Sequence, residues 1–545
     1  MTKRILCAFV ALCLLIGGTA ACGKKQAGVG GGFRFPIAAE PRTLDPQMAT
    51  DDAAITVLCA LFEGLTRLDE DGKTIPAAAD WVVSEDGLTY TFTLRDSYWN
   101  KNPIKGKTQP WDNPLPVTAD DFLFAMQRLA DPAIASPLAG ELLGITGAEK
   151  VIAGDKPMEE LGVVATDDQT LTITLSAPDA DFPAKLATSP FFPCHRAFFE
   201  AAAGRYGLEQ EYLLSNGAFR LAAWNHNESL LLYKHESYHG AGDIAPEAVR
   251  FVIGSADPVA ALASGDLSAA PLTANQAAQV SKKVQTVTLS DTVRSVWLNA
   301  SADPLAEVHI RRALRDSIQW DSVDGYLADT GEAIAAGYVP PDATVDGAIY
   351  RTADNPLPRV TDTESAQAQL QAGLKELYPD GGGTASRVRI TLLAADDPIS
   401  ADLARYILQS WQKNLSITVT LSLVSETELA RRVKSGNYQA ALYTHTPSGL
   451  TGAENLTAFT STATDNLARL VDKEVDAAIT AAKAGGRTEL EALESALWEV
   501  CPAIPVSFPH RYYGFAPDTA DIVARPFGGG RYQSPLDFRE AKYYD

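Results

Sequence analysis

From Val388 to Tyr443 the chain alternates strand and helix patterns, and nothing else in the sequence restricts the fold as strongly. Val388 to Leu393 is strand-like, and Ala404, Ile407, Leu408 and Trp411 share one helical face. Ile417, Val419, Leu421 and Leu423 then alternate with Thr418, Thr420 and Ser422, the period of a half-buried strand. A short helix carrying Leu429 and Val433 ends at Gly436, and Gln439 to Tyr443 forms the next strand. Strand–helix–strand–helix–strand predicts an α/β unit with parallel strands. Such sheets receive ligands beyond the carboxyl ends of their strands, which directs attention to Leu442 through His445. One such unit cannot account for 545 residues, so two or more lobes are expected.

The first residues read as export machinery. Lys3 and Arg4 precede an apolar run from Ile5 to Ala21, and Thr19-Ala20-Ala21 places small residues before Cys22. That is the layout of a secretory signal peptide over residues 1–21, too short for a comfortable membrane span. Cys22 after small residues marks a lipidation site, although Thr19 stands where a lipoprotein signal prefers Leu, and Thr-Ala-Ala also suits simple secretion. Residues 22–32, rich in Gly, form a flexible tether behind the anchor. An anchored, extracytoplasmic chain on the periplasmic or outer-surface side is expected. The net charge of −22 excludes a nucleic-acid footprint. Once the leader and Cys22 are set aside, Cys59, Cys194 and Cys501 remain, with no metal-type spacing, and buried free thiols are expected.

Toward the N-terminus, Phe33 to Ile37 and Thr89 to Arg95 read as strands. Thr118 with Asp121 reads as a capping box opening a helix whose inner face carries Phe122, Ala125, Met126 and Leu129. One enzyme motif matches: His235-Glu236-Ser237-Tyr238-His239 fits H-E-x-x-H, the zinc-hydrolase pattern. Its context opposes the helix that the motif needs, because Leu230 to Tyr233 precede it as a strand-like run and Gly240-Ala241-Gly242 follows. Gly72-Lys73-Thr74 and Gly106-Lys107-Thr108 lack the first glycine of a phosphate loop. No catalytic, metal or cofactor constellation assembles.

Several segments, in order, resemble the family 5 extracellular solute-binding proteins of bacterial ABC importers, the oligopeptide, dipeptide and nickel branch. They are Glu40-Pro41-Arg42-Thr43-Leu44-Asp45-Pro46 with Leu61-Phe62-Glu63-Gly64-Leu65, then Asp86-Gly87-Leu88-Thr89-Tyr90-Thr91-Phe92-Thr93-Leu94-Arg95, then Val117-Thr118-Ala119-Asp120-Asp121-Phe122. Asn216-Gly217-Ala218-Phe219 with Trp224, Tyr233-Lys234 and Tyr238 follows, and Ile310-Arg311-Arg312-Ala313-Leu314 closes the series. The resemblance implies a two-lobed periplasmic-binding-protein-like α/β fold (type II, large cluster). Lobe one would span 33–255 plus 506–545, with an inserted subdomain near 60–165, and lobe two 256–505. It implies a monomeric, non-enzymatic receptor that closes on a small ligand, most readily an oligopeptide, and hands it to a membrane permease. A nickel complex, haem or an oligosaccharide is the alternative cargo, and a signalling or adhesion lipoprotein that has kept the fold is a further one.

The same resemblance implies the binding residues. Peptide binders of the family hold their ligand at the segment matching Ala441-Leu442-Tyr443-Thr444-His445, where a Trp and an Asp act, the Asp on the ligand's amino terminus. Leu442 and His445 stand at the matching positions, so the charge-assisted bond to an ammonium is missing here. His445 could accept a hydrogen bond, bind a carboxylate when protonated, join a metal or haem site, or simply sit satisfied in the cleft wall. Thr50 and Asp51, Trp297 and Asn299, and Tyr512 with Tyr513 near the second crossing complete the expected cleft.

Overall fold

A computed structural model describes residues 32–69, 73–101, 114–179, 181–254, 257–352, 356–447, 449, 451–463, 465–527 and 533–543. The signal peptide and Cys22 lie outside the described residues, as does the tether except for Gly32. Two bodies of core make two lobes. The first gathers Phe33, Phe35 and Ile37 with residues up to Phe251 and, from the far end of the chain, Tyr513, Phe515 and Phe538. The second is split by a six-stranded sheet into two layers.

In the first lobe, Phe33–Ile37, Ala248–Ile253, Ser229–Lys234 and Phe219–Asn225 form a four-stranded sheet in that order. A second four-stranded sheet is made by Ala79–Val83, Thr89–Leu94, Thr170–Thr174 and Val163–Ala165. Helix Ala119–Ala130 packs on it, opened by the capping box of Thr118 and Asp121. The Asp121 carboxylate accepts from the Thr118 amide (2.9 Å) and from Trp99 Nε1 (3.1 Å), yet burial pushes its pKa up to about 7.

The loop Glu40–Pro46 is pinned to that helix by a buried ion pair. Arg128 donates to both carboxylate oxygens of Asp45 (3.0 and 2.5 Å) and to Gln47 Oε1 (2.6 Å), and its guanidinium lies over the Phe199 ring at 4.0 Å. Leu44 N–H donates to Gly207 O at 2.7 Å, and Gly207 has φ +73 with a Cβ position only 2.3 Å from the Asp45 nitrogen, so a side chain there would displace the loop.

The second lobe contains the expected alternation: Arg389–Ala395, Pro398–Leu415, Thr418–Val424, Glu426–Lys434 and Ala440–His445. Strand Arg389–Ala395 runs parallel to both Thr418–Val424 and Ala440–His445. Val293–Leu298 runs antiparallel to Ala440–His445 and to Ala503–Phe508, and the short strand Ala333–Ile334 closes the far edge. Period-2 alternation sorts the side chains: Val296, Leu298, Leu392, Ala440, Leu442 and Ile504 face the layer that includes helices Val308–Asp316, Thr363–Leu377 and Pro398–Leu415. Trp297, Leu393, Ala441 and Ala503 face the other.

The lobe boundaries differ from those read in the sequence. Ala269–Leu272 and Gln285–Leu289, expected in lobe two, both pair with Arg511–Phe515, and Ser268 N–H donates to Arg34 O in the first lobe. Residues 506–508, expected in lobe one, complete the six-stranded sheet. The chain therefore crosses between lobes at 290–292 and 509–510, not near 255 and 505. Side-chain size and local pattern do not report which partner strand a strand will choose.

Cys59, Cys194 and Cys501 are free, and burial pushes their thiols up to about 12, about 12 and about 11. Among the described residues no helix is long and apolar enough to cross a membrane. Because Arg128 is 2% exposed and serves a buried carboxylate, Arg128→Met is expected to lower unfolding free energy by about 3–5 kcal/mol in urea titrations, through the uncompensated charge left on Asp45. A loss below about 1 kcal/mol would show that the pair does not organise this loop.

Candidate functional site

Both crossings leave the six-stranded sheet at one edge, where His445, Val293 and Phe508 end or begin their strands. The crossings are tied together side by side. Asp291, whose side chain has no exposed surface, receives both Arg511 Nε (2.8 Å) and the Arg511 terminal nitrogen, together with the Phe527 amide at 2.7 Å. Thr292 Oγ1 donates to Pro509 O (2.5 Å), and Ser290 Oγ meets His510 Nδ1 at 2.8 Å. Any movement of one lobe on the other bends around this knot.

Beside that edge lies a cavity of about 130 Å³ between the lobes. The first lobe contributes Glu141, Asp179, Asp181, Ala184, Lys185 and Thr188; the second contributes Gly449, Glu454, Thr457 and Lys483. Phe527 and Gln533 of the C-terminal segment close it, and Phe527 packs into the core of the second lobe. Lys483 Nζ spans the gap, 2.8 Å from Asp179 Oδ1 and 4.0 Å from Asp181 Oδ2. Burial raises the Asp181 carboxyl, Lys483 draws it back, and Asp179 adds repulsion. Burial also raises Glu454, with Asp181 adding to the shift across the cavity and the Thr451 cap and Lys483 opposing it. Four carboxylates thus face two lysines in a partly desolvated space.

The expected site residues divide. Trp297 and His445 come together, ring edge to ring face at 5.7 Å, with Phe459 stacked on Trp297 at 5.5 Å. Burial lowers the His445 pKa, Asp465 raises it and Lys434 lowers it further, so the ring is neutral at neutral pH. Trp297 Nε1 and His445 Nε2 are both buried with no hydrogen-bond partner. Tyr443 is half-buried; burial raises its pKa, with Glu426 and then Asp52 adding to the shift. Asp52 opens helix Asp52–Leu61; loss of solvent raises its carboxyl, Lys434 of the other lobe lowers it, and Asp51 repels it. The amino end of that helix therefore faces the strand end across the lobes.

Other expectations move. Asp51 is the helix cap, accepting from the Ala54 amide at 2.9 Å, and exposed Thr50 precedes it. Leu442 is in the core and can offer a ligand only backbone. Thr444 Oγ1 accepts from Arg294 Nε (3.2 Å), which is held by Glu332 (2.6 Å). Asn299 lies at the opposite edge of the sheet, its amide bonded to Gly436 O and Tyr438 O (3.1 and 2.8 Å), because Val293–Leu298 runs antiparallel to Ala440–His445. Tyr513 is buried mid-strand between Pro271 and Val287, and Tyr512 packs on the small core around Leu262. Asp179, Asp181, Glu454, Lys483 and Phe527 were not legible; they come from four distant segments with no shared pattern. The zinc lookalike dissolves: His235 Nδ1 meets Gly217 O (3.1 Å), whereas His239 Nε2 meets Glu63 Oε2 (2.5 Å). Among the described residues no group of three or more His, Cys, Asp or Glu could hold a metal ion.

Residues 75–466 match the model of the bacterial extracellular solute-binding proteins, family 5 middle. The dipeptide-binding protein DppE of Bacillus subtilis is 26% identical over 500 residues, covering 90% of this chain and 89% of that protein. The oligopeptide-binding protein OppA of the same organism is 29% identical over 427 residues, covering 76% and 75%. Among solved structures, the substrate-binding domain of an oligopeptide ABC transporter from Bacillus anthracis superposes with a TM-score of 0.72 at 26% identity, over 94% of this chain and 98% of that one. Listeria monocytogenes OppA bound to peptide gives 0.74 at 22% identity, over 95% and 100%, a likeness of fold.

Lys483→Met removes the cation shared by Asp179 and Asp181. The raised Asp181 and Glu454 carboxyls mean that closure takes up protons, so the closed fraction falls as pH rises through their folded-state values. In the variant the ligand-free radius of gyration, followed by small-angle X-ray scattering from pH 5 to 8, is expected to grow more than in the parent; superimposable profiles would refute this reading of the gap.

Proposed function

Because the chain belongs to the bacterial extracellular solute-binding proteins of family 5, we propose that it captures a short peptide between its lobes and delivers it to the membrane permease of an ABC importer. The cavity at the sheet edge carries this reading. It is built from both lobes, and closure would bury what it holds. The relatives named for dipeptides and oligopeptides align along most of the chain, which supports peptide over other cargo. Trp297, Tyr443 and His445 are proposed to meet the ligand, with Trp297 Nε1 donating to a peptide carbonyl and neutral His445 serving as a second polar contact. The free amino terminus, denied a carboxylate at His445, is proposed to turn toward Asp181 and Glu454. Lipid attachment at Cys22, with 23–32 as tether and a monomeric receptor at the membrane, completes the proposal.

Native mass spectrometry of the protein purified without denaturation tests the cargo. A family of short peptides is expected; a single non-peptide compound or a metal complex overturns the reading. Trp297→Phe keeps the ring and deletes its donor. If that donor meets the ligand, peptide affinity falls by about 3- to 10-fold, one net hydrogen bond. Unchanged or tighter binding by calorimetry would remove Trp297 from the site.

A further inference from the structure

Away from the cleft, the first lobe holds two further cavities, of about 90 and 520 Å³, that share one partition: Arg67, Tyr238, Arg525, Asp537 and Arg539. Three guanidiniums thus stand around one carboxylate. Arg539 takes it through Nε (3.1 Å to Oδ1) and a terminal nitrogen (2.5 Å to Oδ2), and Arg525 bonds the same Oδ2. Arg525 Nε is buried with no hydrogen-bond partner. Arg67, half-buried beside them, makes no hydrogen bond or ion pair among the described residues.

The other acid in the smaller cavity is not a free counter-ion. Glu63 receives the Tyr238 hydroxyl on one oxygen and His239 Nε2 on the other, at 2.5 Å. Burial depresses the Arg525 pKa, and the Arg539 and Arg67 charges depress it further while Asp537 opposes them. A desolvated N–H left without an acceptor, as at Arg525 Nε, is costly, and planar N–H pairs match oxyanions in geometry and charge. Asp69, Asp243 and Glu540 line the larger cavity and confine the unmatched positive charge to the partition, which suits a small anion and rejects a polyanion.

We propose that this partition is a binding site for a small oxyanion, phosphate or carboxylate, held between Arg67 and Arg525 in the first lobe. Only Gln533 is shared between its walls and those of the interlobe cavity, so the site does not depend on the cargo.

Inorganic phosphate and acetate, each titrated calorimetrically into the full-length protein at fixed ionic strength, test it. Saturable binding of at least one is expected, with a matching rise in the unfolding midpoint, and the tighter of the two identifies the anion class. Arg67→Gln is expected to weaken binding at least about tenfold while leaving the fold intact, Arg67 having no partner to lose, and Arg67→Lys to recover part of it. Arg405→Gln, which removes an exposed charge on the second lobe, is expected to bind as the parent does. No saturable binding in the parent, equal affinity in Arg67→Gln, or an equal loss in Arg405→Gln overturns the proposal.

Discussion

The architecture turns on one buried carboxylate. Asp291 sits on the first crossing, is gripped by Arg511 from the second, and accepts the amide of Phe527 from the C-terminal segment. Three stretches of chain converge on it, the first 220 residues ahead of the second. A fully buried acid needs its partners, so each stretch holds the other two in place. The interlobe cavity inherits its shape from this arrangement: both lobes meet at the sheet edge where the crossings emerge, and Phe527, fixed through its backbone, walls the space from the C-terminal side. A rotation about the crossings would bring Asp179 and Asp181 toward or away from Lys483 without disturbing either core.

Local order was legible because local physics writes it. The alternation of Ile417, Val419, Leu421 and Leu423, the capping pair Thr118 and Asp121, and the turn after Leu230 to Tyr233 each state their structure within a few residues. What the sequence withheld was partnership. Ala269–Leu272 and Gln285–Leu289 look like strands of any sheet; that they clasp Arg511–Phe515, some 230 residues onward, is a decision of the whole fold. The same limit governed the site. His445 and Trp297 come ring to ring, on strands that were visible in the sequence. Asn299 lies at the other end of the sheet, because the direction of Val293–Leu298 could not be read. Lys483, Glu454 and Asp181 acquire meaning only across the gap between lobes.

The histidine pair illustrates how spacing can mislead. His235 and His239 have the separation of metal ligands on a helix, but the chain there leaves a strand and enters a turn, and the two rings part. One closes the backbone at Gly217, and the other, with Tyr238, satisfies the buried Glu63. A sequence that reads as chemistry thereby serves to seat the Leu61–Leu65 segment against the turn.

Arg511–Phe515 lies in the middle of a three-stranded sheet whose outer strands precede it by more than 200 residues. As the chain emerges from its amino end, those two outer strands are complete long before the strand that joins them exists. The second lobe, from Val293 to Phe508, is contiguous and can finish first. The first lobe must meanwhile carry an open slot with exposed backbone donors and acceptors, filled only once Arg511–Phe515 has appeared. That later stretch is therefore the keystone: with Phe527 close behind it, it seals the first lobe, ties the crossings and walls the cleft, so that binding competence waits on residues made after the whole second lobe.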